Sequence, residues 1–488
     1  MIVVNDSSTD SKVEDILSEF VNCKKCKIIH NRVNSGISET QNRGLFAAKG
    51  DLIAFLDCDD YLALDAVQSV VDLWSPETVY AYSDRIYIDS QNKEVSKVSF
   101  IELPKEDMLV EQLDGKMYAS HLKVIHRRVF EKVGLFDSVF DAAQDYEFLM
   151  RAAFHFPSSS FLHVPHFIYY HRWHDNQQTI TGKKKQDIAI KKASNQAKFR
   201  MAVRNGDYHK KVSFLVLSYG KEDQTLNCIK AIKKTVKIPH EIILLDNGSK
   251  KETVDFIKEH IEGIENVRVC YESENHGPAK GRLKAMQYVS CDYVISLDND
   301  IEVCQGWLEE ILLRADESDD IGAVCCRVTF PNHTLQFSGG WLKTTGIRVK
   351  LGLFDQGKNV FDLTAMRMRE CDWVPIGATL YKTDFPVDPK YPNVFEDIAV
   401  SSALKAKGKR MVNSPASLAI HHHIMFDRVR SQKEKEYLEF RYKPELMLKC
   451  IKRYYEQYNL VIDDDYVFSV NNLKGASDDE IIAALARL

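Results

Sequence analysis

Short apolar runs alternate with segments of helical spacing along most of the chain. Ile2 to Val4 and Lys27 to His30 read as strands ending in polar turns, with a helix between them. The run LIAFLD at residues 52–57 then reads as a buried strand. The same order returns later. Ile242 to Leu245, Val267 to Cys270 and the run YVISLD at residues 293–298 are predicted strands, separated by helical segments and an Asn-x-Gly turn. Such alternation predicts an α/β fold with mostly parallel, doubly wound sheets. In open sheets of this kind, ligands bind just beyond the carboxyl ends of the strands.

The recurrence keeps one register. Residues 2–9, IVVNDSST, align with residues 243–250, ILLDNGSK, at an offset of 241 (243 − 2). Without a gap, that offset aligns Asn34-Ser35-Gly36 with Asn275-His276-Gly277, and Asp57-Cys58-Asp59 with Asp298-Asn299-Asp300. A chain of 488 residues also exceeds a single core. The repeat divides it into a first domain at 1–182, a basic helical connector at 183–211, a second domain at 212–430 and a helical C-terminal extension at 431–488.

Composition narrows the class. Hydrophobic residues at 44% and charged residues at 28% suit ordinary globular domains. A net charge of -5 argues against a nucleic-acid binder. No apolar run is long enough to span a bilayer, and the N-terminus lacks a basic and then apolar signal segment. The eleven scattered cysteines read as reduced thiols, which points to the cytoplasm. Cys23 and Cys26 with His30 fall short of the usual zinc ligand set, so surface thiols are expected there. The connector holds ten Lys or Arg and two Asp. A solvated helix is the simpler reading. The alternative is a basic face against anionic lipid headgroups, which would put the protein at the inner face of a membrane.

The carboxylates carry the candidate chemistry. Asp298 and Asp300 sit on alternate residues at a predicted strand end, where they suit a divalent cation, manganese or magnesium, that neutralises a diphosphate. A turn would account for such a pair alone, but Asp57 and Asp59 repeat it in register. Glu396-Asp397 opens a predicted helix, and Gln144-Asp145 is its counterpart. Favouring the helix dipole is one role for such acids; removing a proton from an attacking hydroxyl is another. Only the aspartate recurs, so Asp397 and Asp145 are the candidate bases. His421-His422-His423 follows an apolar run, and His171 and His174 hold the corresponding place in the first copy. An imidazole beside carboxylates suits manganese.

In order, these segments resemble family 2 of the inverting glycosyltransferases, with the GT-A fold. The second copy matches throughout: VSFLVLSYGKEDQTLNCIKAI, EIILLDNGS, ENHGPAKGRLKAM, SLDND, WVPIGATLY, FEDIAVSSALKAKG and PASLAIHHH. The first copy matches through IVVNDSSTD, YSDRIYID, AAQDYEFLMRAA and VPHFIYYHRWHDNQQ. The resemblance implies one in-line displacement, with inversion, of a sugar from a nucleotide-diphosphate donor to an acceptor hydroxyl. Asp246 would face the nucleobase, Asp298 the ribose or metal, and Asp300 the metal and diphosphate. His422 or His423 would complete the metal site, and Asp397 would act as base beside Glu396. Trp373 and Gly377 would line the acceptor side, with Lys280 and Arg282 near phosphate. In the first copy Asp6 and Asp57 would serve the donor, Asp59 and His174 the metal, and Asp145 the base. The acceptor would be a glycan, a lipid-linked glycan or another hydroxyl compound.

The first copy departs from the pattern. Residue 212 opens the second copy, and 212 − 241 gives −29, so the first copy lacks the opening strand and helix. A sheet without that strand leaves backbone groups unpaired. The natural start lies upstream, or the copy is a degraded scaffold, or another piece of the chain fills the gap. Asn5 also stands where the second copy has Asp246. The expectation is therefore a glycosyltransferase working mainly through its second domain. The alternatives are a bifunctional enzyme with two active sites and a non-catalytic glycan-binding or assembly protein on the same fold. A nucleotidyltransferase ranks last, because VLSYGKEDQ is not a Gly-rich phosphate loop.

Overall fold

A computed structural model describes residues 1–100, 117, 119–174, 182–382, 385–392, 394–423, 435, 439 and 441–488. The Asp175 to Gln178 end of the segment VPHFIYYHRWHDNQQ and the start of the C-terminal extension lie outside the described residues. The chain forms two compact units: residues 1–201 with 361–367, and residues 202–360 with 368–488.

The second unit is built on one large mixed sheet. Strands Val267–Tyr271, His240–Asp246, Val212–Ser218 and Tyr293–Asp298 lie side by side and parallel. Their central members are buried along nearly the whole run, as strands covered on both faces are. Ala378–Lys382 continues the sheet antiparallel to both neighbours, followed by Ile321–Thr329 and Arg410–His421. The short strand Ile301–Val303 closes the edge, with Ile301 opposite His421. That register brings the end of the long strand against the Asp-Asn-Asp turn.

The first unit repeats the second half of this order. Leu52–Phe55, Lys123–His126, Tyr80–Ile88, Phe161–Arg172 and Tyr61–Leu62 follow one another with the same relative directions. Ile2–Asn5 and Lys27–His30 form a separate parallel pair. In the second unit, Val212–Ser218 joins the corresponding strands into one sheet. Among the described residues nothing takes that place in the first unit, so no piece of the described chain fills the gap.

Two expectations are corrected. The connector is helical, Lys183–Asn205, but it is not a freely solvated helix. Ala189, Ala193 and Ala197, four apart on one face, pack into the first unit's core, while Lys184, Lys185, Lys191 and Lys192 stay exposed. The C-terminal residues are largely helical, but they are no appendage. Helices Pro444–Tyr458, Asp465–Val470 and Asp478–Ala486 share a core with Ile398 and Ala399 of the helix Glu396–Ala406. Strand Val461–Ile462 pairs with Arg348–Leu353. Among the described residues no helix is long and apolar enough to cross a membrane, and no disulfide is formed.

Candidate active site

Asp300 follows the buried strand Tyr293–Asp298 and is itself 4% exposed. The Nε2 of His421 lies 3.0 Å from Asp300 Oδ1, and the Nδ1 of His423 lies 3.8 Å from Oδ2. One ligand atom from each of Asp300, His421 and His423 lies within 4.8 Å of the others. His421 Nδ1 is 2.7 Å from Gln336 Oε1, so this nitrogen carries a hydrogen and donates it. One carboxylate and two imidazoles gathered this closely are a donor set that fits a divalent metal. Burial pushes the Asp300 carboxyl up, but His421, His423 and Lys221 outweigh it and hold it well below the usual carboxylate range.

His422 does not join the cluster. Its Nε2 turns to Glu302 at 2.9 Å, and its backbone N–H donates to Asp300 O. The reason is the pleat: residues 421 and 423 point to one side of an extended chain and 422 to the other. Alternation puts His421 and His423 on one side and His422 on the other, and the pairing of Ile301 with His421 turns the pair toward Asp300.

Asp298 is salt-bridged to Arg282, whose Nε also donates to Ser296 Oγ at 3.1 Å. Arg282 is 3% exposed, so it is a buried counter-ion to Asp298 rather than a surface phosphate ligand. Lys280, on the same helix Pro278–Met286, is exposed. Gly377 is required by Asp298: a Cβ there would sit 2.3 Å from Asp298 Oδ2. Its carbonyl accepts the Asp298 N–H at 3.1 Å. Trp373 is 8% exposed, packs in the core shared with the C-terminal helices, and donates Nε1–H to Trp341 O. It offers no open face to a sugar ring, which corrects its acceptor-side assignment.

Asp397 and Glu396 open the helix Glu396–Ala406 beside this segment. Asp397 Oδ1 accepts the Ile376 N–H at 2.8 Å. Burial pushes Asp397 up. Glu396 is buried, its Oε2 lacks a hydrogen-bond partner, and burial with the adjacent Asp397 pushes it up to about 7. The two carboxyls thus lie next to the Asp298 loop in proton-holding surroundings.

Across the same sheet edge, Asp246 ends strand His240–Asp246 fully buried. Its Oδ2 accepts the Ser249 N–H, its Oδ1 has no partner, and burial raises its pKa. The next residue, Asn247, fastens the Asn-x-Gly turn through Asn275 Oδ1, His276 N and Gly277 O.

In the first unit Asp6 performs that turn-fastening task. Its carboxylate accepts from Asn31 Nδ2, Ser35 N and Gly36 N at 2.6, 2.9 and 3.0 Å. Burial pushes Asp6 up, but these bonds outweigh it and lower its pKa. Its oxygens are spent within the turn, so Asp6 matches Asn247, not the donor-facing Asp246. Asn5 takes the Asp246 place and bonds to Glu14 and Ser8. Asp57 lies 3.8 Å from His121 and burial raises its pKa. Asp59 pairs with His174 at 3.0 Å, while His171 turns to Asp60. Among the described residues these groups do not gather into a metal-binding cluster. Asp145 is held in an ion pair by Lys123, which is 3% exposed. Sequence reasoning passed over Lys123, His121, Gln336 and Lys221, because their importance arises from contacts between segments far apart in sequence.

Comparison with known proteins gives the family. The family model described as Glycosyl transferase family 2 matches residues 1–134 and 213–374, more than half of the chain. The O-antigen biosynthesis protein RfbC of Myxococcus xanthus is 23% identical over 473 residues, covering 89% of this chain and 36% of its own length. Chondroitin synthase of Pasteurella multocida is 25% identical over 213 residues, 42% of this chain and 21% of that protein. The chain therefore spans only a minor part of these relatives. A solved structure of GalNAc-T7 with UDP, GalNAc and Mn2+ covers 53% of this chain and 56% of its own at 15% identity and a TM-score of 0.38. On the family match, the chain belongs to glycosyl transferase family 2.

Proposed function

We propose that the protein transfers a sugar from a nucleotide-diphosphate donor to an acceptor hydroxyl, with inversion and with a divalent metal, through its second unit. In this reading the matched segments are two copies of one module, bounded near 1–182 and 212–430, with a helical connector and a C-terminal extension. The observation that carries the reading is the gathering of Asp300, His421 and His423 at the strand ends that also present Asp298 and Asp246.

Asp300, His421 and His423 would hold manganese or magnesium, which neutralises the departing diphosphate when bound. Asp246, whose Oδ1 has no partner among the described residues, would accept from the nucleobase once the closed turn beside it opens. Arg282 and Gly377 hold Asp298 in place from two sides. Asp397 takes the proton of the attacking hydroxyl as the new bond forms, on the face opposite the diphosphate. Its raised pKa, set first by burial, moves it toward the range a base needs. Glu396 binds the acceptor beside it. RfbC and chondroitin synthase are named for polysaccharide products, and a growing glycan, free or lipid-linked, is the acceptor proposed here.

The test is a screen of nucleotide sugars with Mn2+ or Mg2+ on the full chain, followed by NMR of the product's anomeric proton. A β-linked product from an α-linked donor is expected. Retention of configuration, or no turnover of any donor together with no nucleotide binding, would overturn the reading. The bifunctional alternative requires Asp145 to act as base while ion-paired to Lys123, so the single active site is preferred.

A further inference from the structure

No motif marks the loop between strand Val212–Ser218 and helix Glu222–Thr235, yet it is firmly built. Gly220 and Lys221 both have positive φ, 63° and 56°, and for lysine this left-handed backbone is disfavoured. Such a conformation persists where its surroundings over-determine it. Here Asn299, the middle residue of the Asp-Asn-Asp motif, donates Nδ2–H to Gly220 O at 3.0 Å and contacts Thr225 Oγ1 and Ser218 Oγ. Ser249 Oγ accepts the Gly220 N–H at 2.8 Å. Lys221 O accepts the Thr225 N–H at 3.0 Å. The loop is tied at once to the motif and to the turn after Asp246. The result is that Lys221 Nζ lies 2.7 Å from Asp300 Oδ2, on a side chain 35% exposed.

We propose that Lys221 is a resident counter-ion of Asp300 that yields to the divalent cation and then binds the donor's diphosphate, coupling the two ligands. This rests on the metal reading given under Proposed function. A dication on Oδ2 and an ammonium 2.7 Å from the same oxygen repel each other strongly in a partly buried site. Lys221 has a flexible stem and an exposed flank, so it can swing; Arg282, buried and bonded to Asp298 and Ser296, cannot. The diphosphate is the negative charge that arrives as the ammonium is displaced, and lysine binds phosphate well as a point charge. Without metal, the ammonium competes for the ligand oxygen. With nucleotide, it rewards metal binding. By linkage each ligand then strengthens the other.

Mn2+ binding to the full chain, followed by electron paramagnetic resonance with and without uridine diphosphate, tests this. Lys221→Met should bind Mn2+ alone about tenfold more tightly than the wild type, and uridine diphosphate should strengthen its Mn2+ binding less. Asn299→Ala, which frees the loop, should move both quantities the same way by a smaller factor. A merely structural lysine would weaken Mn2+ binding on removal. Equal or weaker Mn2+ affinity in Lys221→Met, with wild-type binding intact, overturns the lysine's role alone. Absence of Mn2+ binding by the wild type overturns the metal reading and the proposal with it.

Discussion

The two units share a strand order but not a site. In the second, a carboxylate and two imidazoles converge at the end of a continuous sheet. In the first, among the described residues, Asp59 has one histidine, Asp60 takes another, and the sheet is split in two. The candidate base shows the same divergence. Asp397 accepts a backbone N–H and lies near Arg282, which is itself committed to Asp298. Asp145 is salt-bridged to a buried lysine from the strand Lys123–His126. Asp57, Asp59 and Asp145 thus lie, among the described residues, without the partners that surround Asp298, Asp300 and Asp397.

The largest expected effect concerns the bases. Asp397→Asn should lower sugar transfer about 10³-fold, a typical loss for a general base, while Asp145→Asn leaves it unchanged in the same assay. Equal losses would erase the contrast between the units. Next, Lys123→Met leaves Asp145 charged and poorly solvated, which should destabilise the first unit by about 4 kcal/mol. Scanning calorimetry should show one transition moved down, with transfer at low temperature preserved.

Glu396 supplies a pH test. It keeps its proton to about pH 7 when folded and releases it near 4.5 when unfolded. Between those values the unfolded state binds fewer protons, so stability falls as pH rises. The total is about 3 kcal/mol at 1.36 kcal/mol per pH unit. Denaturation of Glu396→Gln should be flatter over that window; the first unit, with Gln144 at this place, should already lack the dependence. The smallest effect expected is from Gly377→Ala. Its methyl would press on Asp298, and a misplacement of that kind should cost about tenfold in transfer with little change in Mn2+ affinity. An unaltered rate would remove Gly377 from the account.

Much of this was legible in the sequence, in a definite pattern. The strands before Asp57 and Asp298 and the helices after Gly36 and Gly277 followed from apolar periodicity and turn residues. The acidic motifs followed from the constant offset between the copies. What was not legible depended on pairing between distant strands. Three adjacent histidines do not reveal which two face inward until the register of Arg410–His421 with Ile301–Val303 is known. Trp373 reads as a sugar platform until the C-terminal helices are seen to cover it. Asp6 reads as a spare donor ligand until its oxygens are found bonded to the turn at Ser35 and Gly36. Those helices also share the core of the base helix, so a fragment ending at residue 430 would lose part of that core.

The central claim is that one of two similar carboxylate motifs works. Asp300→Ala and Asp59→Ala, each in the full chain, should be compared for Mn2+-dependent turnover of a nucleotide sugar. The account predicts that Asp300→Ala abolishes turnover and Mn2+ binding while Asp59→Ala keeps both. Loss of turnover in Asp59→Ala, with the protein folded, would contradict it.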